Sequence, residues 1–129
     1  MNAARISMTE TPSESHVVLV VDDDPDVREA LSSILEDEGY QVATAGNGRE
    51  ALDWLHAGRA PCLILLDLMM PIMNGWEFLQ AMRSEGGHLA SIPVCVVSAY
   101  ADRAPTEAVA VLRKPLEIDA LLSVVADRC

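Results

Sequence analysis

One apolar run that ends at a single acid constrains this chain more than any other feature. Residues 62–66 read Cys-Leu-Ile-Leu-Leu, Asp67 follows directly, and Pro71 lies four residues further on. An aliphatic run without polar alternation is typical of a strand buried on both faces of a parallel sheet. Asp67 is therefore expected where a strand ends and a loop begins, which is the edge where parallel α/β sheets bind ligands.

Apolar strands and amphipathic helices alternate along the whole chain. The predicted strands cover residues 16–21, 40–45, 62–66, 92–97 and 109–112. Helical spacing of apolar residues predicts helices after Asp24, Asn47, Gly75 and Pro115. Asp24 before Pro25 is the pairing expected of an N-cap and a first helical residue. The alternation predicts an α/β fold with a parallel sheet and right-handed crossovers.

Length and charge limit the classes of function. A chain of 129 residues fits one domain, which we expect at 16–129 after a disordered tail at 1–15. The net charge of −11 argues against nucleic acid or an anionic membrane as a direct partner. No apolar run approaches the ~18 residues of a membrane span, and the N-terminus lacks the apolar segment of a signal peptide. We therefore expect a cytoplasmic protein.

The three cysteines do not suggest a metal or disulfide framework. Cys62, Cys95 and Cys129 are odd in number and lack C-x-x-C spacing. Two of them fall in predicted core strands, where cysteine packs as a small hydrophobic residue. The expectation is buried thiols rather than disulfides or zinc ligands.

Polar side chains follow the predicted strands at one edge of the sheet. They are Asp22 and Asp23 after the first strand, Asp67 after the third, Ser98 after the fourth and Lys114 after the fifth. Crowded carboxylates raise one another's pKa unless a cation intervenes, and a hard ion such as Mg²⁺ suits oxygen ligands. Asp67, central and alone on its strand, is the candidate nucleophile toward phosphorus, with Asp22 and Asp23 as the metal pair.

Four motifs in this order resemble the response-regulator receiver domain of two-component signalling. They are Val-Val-Asp-Asp-Asp at 20–24, Leu-Asp-Leu-Met-Met-Pro at 66–71, Val-Ser-Ala at 97–99 and Arg-Lys-Pro at 113–115. The resemblance implies a flavodoxin-like, doubly wound sheet of five parallel strands in the order 2-1-3-4-5. It also implies that Mg²⁺ is the cofactor and that the phosphoryl donor is a histidine kinase or a histidine phosphotransfer protein. The downstream protein target stays open.

The same resemblance assigns a role to each site residue. Asp67 would be the phosphoacceptor, Ser98 the switch hydroxyl, and Lys114 the conserved-type lysine, typically joined to Pro115 by a cis peptide bond. Asp22, Asp23 and Asp67 would hold the metal together with the backbone carbonyl of Met69. These roles belong to a phosphoacceptor and not to an enzyme that turns over a substrate.

Two departures from the family pattern affect how phosphorylation could be transmitted to a partner. Relatives usually carry an aromatic residue three positions before the lysine, and here that position is Val111. Eleven residues separate Val97 from Val109, and Pro105 lies among them, so the helix between the fourth and fifth strands should be shortened or missing. Both departures lie on the face formed by the fourth helix, the fifth strand and the fifth helix, which many relatives use to dimerise. We therefore do not expect a conventional dimer there. Tyr100, two residues after Ser98, is a candidate shield of the phosphoryl group against water.

Two other functions remain open at this point. A pseudo-receiver would keep the fold and bind partners without phosphorylation, although all matched phosphorylation residues are present. A phosphatase of the haloacid-dehalogenase type also uses an aspartate after a strand. That family needs a second aspartate two residues later, where this chain has Met69.

Overall fold

The computed structural model describes residues 16–129, so the tail expected at 1–15 lies outside the described residues. The strands are β1 (Val17–Val21), β2 (Gln41–Ala45), β3 (Leu63–Leu66), β4 (Val94–Ser98) and β5 (Ala110–Arg113). The helices are α1 (Pro25–Asp37), α2 (Gly48–His56), α3 (Gly75–Glu85), α4 (Gly87–Ala90) and α5 (Ile118–Arg128). A 3₁₀ helix, η1 (Ala101–Arg103), follows β4.

The five strands form one parallel sheet in the order β2-β1-β3-β4-β5, which confirms the expected fold. Val21 pairs with Leu66, and Leu66 pairs with Val96. The central strands therefore end at nearly the same level. Whatever follows them in sequence is brought to one edge of the sheet.

Alternate residues of the buried strands face opposite layers of helices. Leu19, Val21, Ile64 and Leu66 pack with α2 and α3, in a cluster that contains the fully buried Phe78. The residues between them pack with α1 and α5. Burial on both faces explains why these strands are continuously apolar. Within residues 16–129, no helix has the length and apolarity needed to cross a membrane.

The connection between β4 and β5 lacks a full helix, as its length predicted. Only the single turn η1 forms there, and Ala104 is extended at its end, as expected of the residue before Pro105. The short helix α4 was not predicted, and Gly86 and Gly87 lie where it meets α3. Both glycines have positive φ, and the chain then makes one more helical turn before β4.

The expectation that the cysteines form no disulfide is wrong. Cys62, just before β3, is bonded to Cys129 at the end of α5, with the two Cα atoms 5.4 Å apart. These cysteines are 67 residues apart in sequence, and only the packing of α5 against the sheet brings them together. Cys95 is a buried free thiol as predicted, and burial raises its pKa to about 12.

Candidate functional site

Asp67 is held at the end of β3 by its backbone and by one side-chain oxygen. Its N–H donates to the carbonyl of Val21 over 2.9 Å, so the residue continues the pairing between β1 and β3. Its Oδ1 accepts a hydrogen bond from the N–H of Leu68 at 2.8 Å. The residue is only 8% exposed. One carboxylate oxygen is therefore fixed by the backbone, and Oδ2 is directed toward other groups at this edge.

Asp22 is the most constrained acid of the site. Its Oδ1 accepts from the N–H of Asp24 at 2.9 Å, and its Oδ2 accepts from Lys114 Nζ at 2.7 Å. Its own N–H donates to Ala45 in β2 at 3.1 Å. Asp23 follows it and is exposed. Asp24 caps α1 by accepting from the N–H of Asp26, so that acid has the structural role its position before Pro25 predicted.

The three acids Asp22, Asp23 and Asp67 come close enough to share one cation. One carboxylate oxygen from each lies within 4.8 Å of the others. Two of these residues are buried and the third is open to solvent, which leaves an entry path. Hard oxygen donors of this kind suit Mg²⁺, which keeps several of its waters. Met69, whose carbonyl was the fourth expected ligand, lies in the loop after Asp67 and is 49% exposed.

Lys114 reaches this acidic cluster from the end of β5. Its Nζ lies 2.7 Å from Asp22 Oδ2 and 3.7 Å from Asp67 Oδ2. Its backbone N–H donates to Ser98 in β4 at 3.1 Å, and the peptide bond to Pro115 is cis. Burial lowers the pKa of Lys114, but the hydrogen bond and the charge of Asp22, with Asp67, outweigh burial and raise it overall. The side chain is therefore a fixed ammonium ion between two carboxylates.

Ser98 is completely buried at the end of β4. Its Oγ accepts a hydrogen bond from the N–H of Tyr100 at 3.1 Å. The hydroxyl also lies near the Asp67 carboxylate and acts to lower the pKa of that acid. Ser98 thus connects the carboxylate to the segment between β4 and β5, where Tyr100 is 44% exposed.

The electrostatic environment of Asp67 combines opposing effects. Burial raises its pKa, the charge of Lys114 lowers it, and the charge of Asp22 raises it again. Hydrogen bonds from Ser98 and from the backbone of Leu68 favour the ionised form but do not cancel the first effect. The net pKa is above the ordinary value, so ionised Asp67 is costly to the folded protein in the absence of a bound cation.

The loop after Asp67 is packed against the start of α3. The N–H of Gly75 donates to Leu68 at 2.9 Å. A Cβ at Gly75 would lie 2.6 Å from the Asp67 carbonyl and 2.8 Å from Leu68 Cα. Both neighbours are backbone atoms that cannot move aside cheaply. Glycine is therefore required here, because the site loop and the helix approach at backbone contact distance.

The same loop contains a strained turn. Met73 N–H donates to Pro71 at 2.7 Å, which closes a γ-turn around Ile72. Ile72 has φ 70 and a side chain that is 80% exposed. A β-branched residue is an outlier at positive φ. This strain was not predicted, because isoleucine is not a residue type that indicates a positive φ.

The structure brings together all the side chains that sequence analysis assigned to the site, Asp22, Asp23, Asp67, Ser98 and Lys114. It adds one residue that sequence analysis missed. The guanidinium of Arg28 in α1 donates to the backbone carbonyl of Asp22 at 2.7 Å. Arg28 lies one turn into a helix and belongs to none of the four motifs, so its contact with Asp22 is seen only in the folded structure.

Comparison with known proteins agrees with this geometry. Residues 18–126 match the family model described as the response regulator receiver domain. The response regulator Rre1 of Synechocystis is 39% identical over 115 residues, which are 84% of this chain and 49% of that protein. The DNA-binding response regulator MtrA of Mycolicibacterium smegmatis is 40% identical over 85 residues, 66% of this chain and 35% of that protein. The chain thus spans half or less of the length of these curated relatives.

A solved structure provides the third comparison. The response regulator TrrA of Thermotoga maritima, in complex with Mg²⁺-BeF, superposes with a TM-score of 0.76 at 32% identity. The match covers 88% of this chain and 98% of TrrA. The family match, the strand order and the acidic edge agree, and this chain belongs to the response regulator receiver domain family.

Proposed function

We propose that this chain is a phosphoacceptor receiver in which Asp67 takes a phosphoryl group from a phosphohistidine. One observation carries the proposal: Lys114 Nζ contacts both Asp22 and Asp67, while these acids and Asp23 present oxygens within 4.8 Å of one another. A purely structural edge has no need to gather three acids, two of them buried beside one ammonium ion, because buried charge is costly. A site for phosphoryl transfer has that need.

Each site residue has a separate role in the proposed phosphoryl transfer. Asp67 Oδ2 attacks phosphorus, so that an O–P bond forms while the P–N bond to the donor imidazole breaks and the imidazole keeps the electron pair. Lys114 neutralises a phosphoryl oxygen, and the Ser98 hydroxyl donates to another. Asp22, Asp23, Asp67 and the Met69 carbonyl would hold Mg²⁺. When bound, Mg²⁺ supplies positive charge to the phosphoryl oxygens.

The proposed partners follow from this chemistry. The donor is a histidine kinase or a histidine phosphotransfer protein, and the phosphorylated chain signals by binding a protein or passes the phosphoryl group on in a relay. We propose that these steps occur in the cytoplasm, where ATP-dependent kinases act. MtrA is named as DNA-binding, but the net charge of −11 here favours protein rather than nucleic acid as the direct contact of this chain.

Acetyl phosphate tests the proposal without a cognate kinase. Wild-type protein incubated with acetyl phosphate and Mg²⁺ should gain one phosphoryl group by intact mass. Asp67→Asn, or wild type with EDTA, should gain none. Asp53→Asn provides a matched control, since Asp53 is an exposed acid of α2 paired with Arg49, and it should behave as wild type.

Two results would contradict the proposal. A wild-type protein that stays unmodified would point to a pseudo-receiver that binds partners without phosphorylation. Sustained hydrolysis of a generic phosphate ester such as p-nitrophenyl phosphate would point to a phosphatase.

A further inference from the structure

Arg28 lies in helix α1 and contacts the backbone of Asp22 at the end of β1. We propose that Arg28 is a positioning residue, which holds the junction between Asp22 and Asp23 in the orientation that binds a divalent cation. Its Nη1 lies 2.7 Å from the Asp22 carbonyl oxygen. The inference rests on the proposed function, and its test separates the two.

The Asp22 carbonyl needs a partner that the sheet does not supply. The parallel pairing of β1 ends at Val21, opposite Ala45 on one side and Leu66 on the other. Asp22 lies one residue beyond this ladder and is only 2% exposed. A buried carbonyl without a donor is costly, and such groups are nearly always paired. The guanidinium of Arg28 provides that donor.

This hydrogen bond also orients the next acid. The Asp22 carbonyl belongs to the peptide group that joins Asp22 to Asp23, and that group is planar. A hydrogen bond that fixes the direction of the Asp22 carbonyl therefore also fixes the direction of the Asp23 N–H and the position of the Asp23 Cα. Asp22 is already held by Lys114, Asp24 and Ala45. The hydrogen bond from Arg28 adds a partner for the Asp22 carbonyl. Through the shared peptide group it also restricts the orientation of the exposed acid Asp23.

Arg28 is itself confined by its surroundings. Its backbone N–H donates to Asp24 at 3.0 Å in the first turn of α1. Its Nη1 lies 3.4 Å from where a Cβ at Gly46 would be, and Glu50 Oε1 lies at the same distance. Glu50 in turn accepts from the Gly46 N–H at 2.7 Å. The guanidinium therefore lies between α1 and the turn after β2, close to Gly46.

Whether removal of Arg28 weakens or strengthens Mg²⁺ binding distinguishes a positioning role from a purely electrostatic one. Arg28 is a cation close to a proposed cation site, so on Coulomb grounds its removal should strengthen Mg²⁺ binding. Loss of a positioning contact should weaken binding instead, as for other residues that orient metal ligands, by about 10-fold or more. The two effects have opposite directions.

The experiment measures Mg²⁺ affinity by isothermal titration calorimetry with MgCl₂ alone. The proteins are wild type, Arg28→Ala, Arg28→Lys and Arg128→Ala. Arg128 lies in the last turn of α5 beside Cys129, at the opposite edge of the sheet, and matches the loss of one positive charge. We expect the Kd of Arg28→Ala to rise about 10-fold. Arg28→Lys, which retains a positively charged N–H donor group, should recover part of the loss. Arg128→Ala should bind as wild type.

Phosphorylation by acetyl phosphate gives a second measurement. Because Arg28 touches no reacting atom, Arg28→Ala should need more Mg²⁺ for half-maximal rate yet approach the wild-type rate at saturation. If Arg28→Ala does not fold, Arg28→Lys carries the comparison, and a weaker Mg²⁺ affinity than wild type is still expected. Equal or tighter binding by a folded Arg28 variant would overturn the inference. Absence of Mg²⁺ binding by wild type would instead overturn the proposed function.

Discussion

The Cys62–Cys129 bond should make a large contribution to stability that depends on redox conditions. It closes a loop with a sequence separation of 67 residues. The chain-entropy relation gives a stabilisation of about 4 kcal/mol for a loop of that length. An unfolding entropy of about 2.1 cal/mol/K per residue gives about 0.27 kcal/mol/K for a chain of 129 residues. Loss of the bond should therefore lower Tm by about 15 °C.

Thermal unfolding followed by circular dichroism, with and without a phosphine reductant, measures this effect. Wild type should lose about 15 °C on reduction. Cys129→Ser should have the lower Tm with and without reductant, because only Cys62 and Cys95 remain. These two are not opposite one another in the sheet, since Cys95 pairs with Leu65. Thiol titration of the unfolded, unreduced wild type should find one free thiol. A Tm that does not respond to reductant, or three titratable thiols, would refute the reasoning.

Further predictions follow from the site. Gly75→Ala places a Cβ against the Asp67 carbonyl and should cost about 2 kcal/mol or more in urea unfolding, whereas a cost near zero would mean that the backbone contact is not tight. Ile72→Asn relieves a positive φ and should stabilise by about 1 kcal/mol in the same assay; a loss of stability would contradict the strained turn. The raised pKa of Asp67 makes its protonated form favourable to folding, an effect present below the ordinary pKa and lost as pH rises through the folded value. Asp67→Asn in EDTA should therefore be more stable than wild type near neutral pH, with a gain that shrinks in acid, and a gain independent of pH would be inconsistent with this cause. Tyr100→Ala should speed loss of the phosphoryl group, and an unchanged rate by intact mass would remove Tyr100 as a shield.

The residues that sequence analysis located are those whose position depends on sheet geometry alone. Asp67 and Lys114 are far apart in sequence, but parallel strands carry both to one edge. The reduced connection before β5 was also predictable, because eleven residues containing Pro105 leave no room for a full helix. These inferences needed only strand ends and chain length.

The features that sequence analysis missed depend on contacts between distant side chains. The contact of Arg28 with the Asp22 carbonyl requires that α1 pack at a particular rotation over the strand end. The pairing of Cys62 with Cys129 requires that α5 finish beside the start of β3. Neither arrangement has a periodicity or a spacing that a single sequence displays.

The most direct measurement of the central claim locates the phosphoryl group. Protein treated with acetyl phosphate and Mg²⁺ is reduced with borohydride, which converts an acyl phosphate of aspartate to homoserine, and is then digested and sequenced by mass spectrometry. We predict homoserine at position 67 and intact aspartate at Asp22 and Asp23. Homoserine at either of those positions, or a stable phosphate on Ser98, would contradict the role given to Asp67.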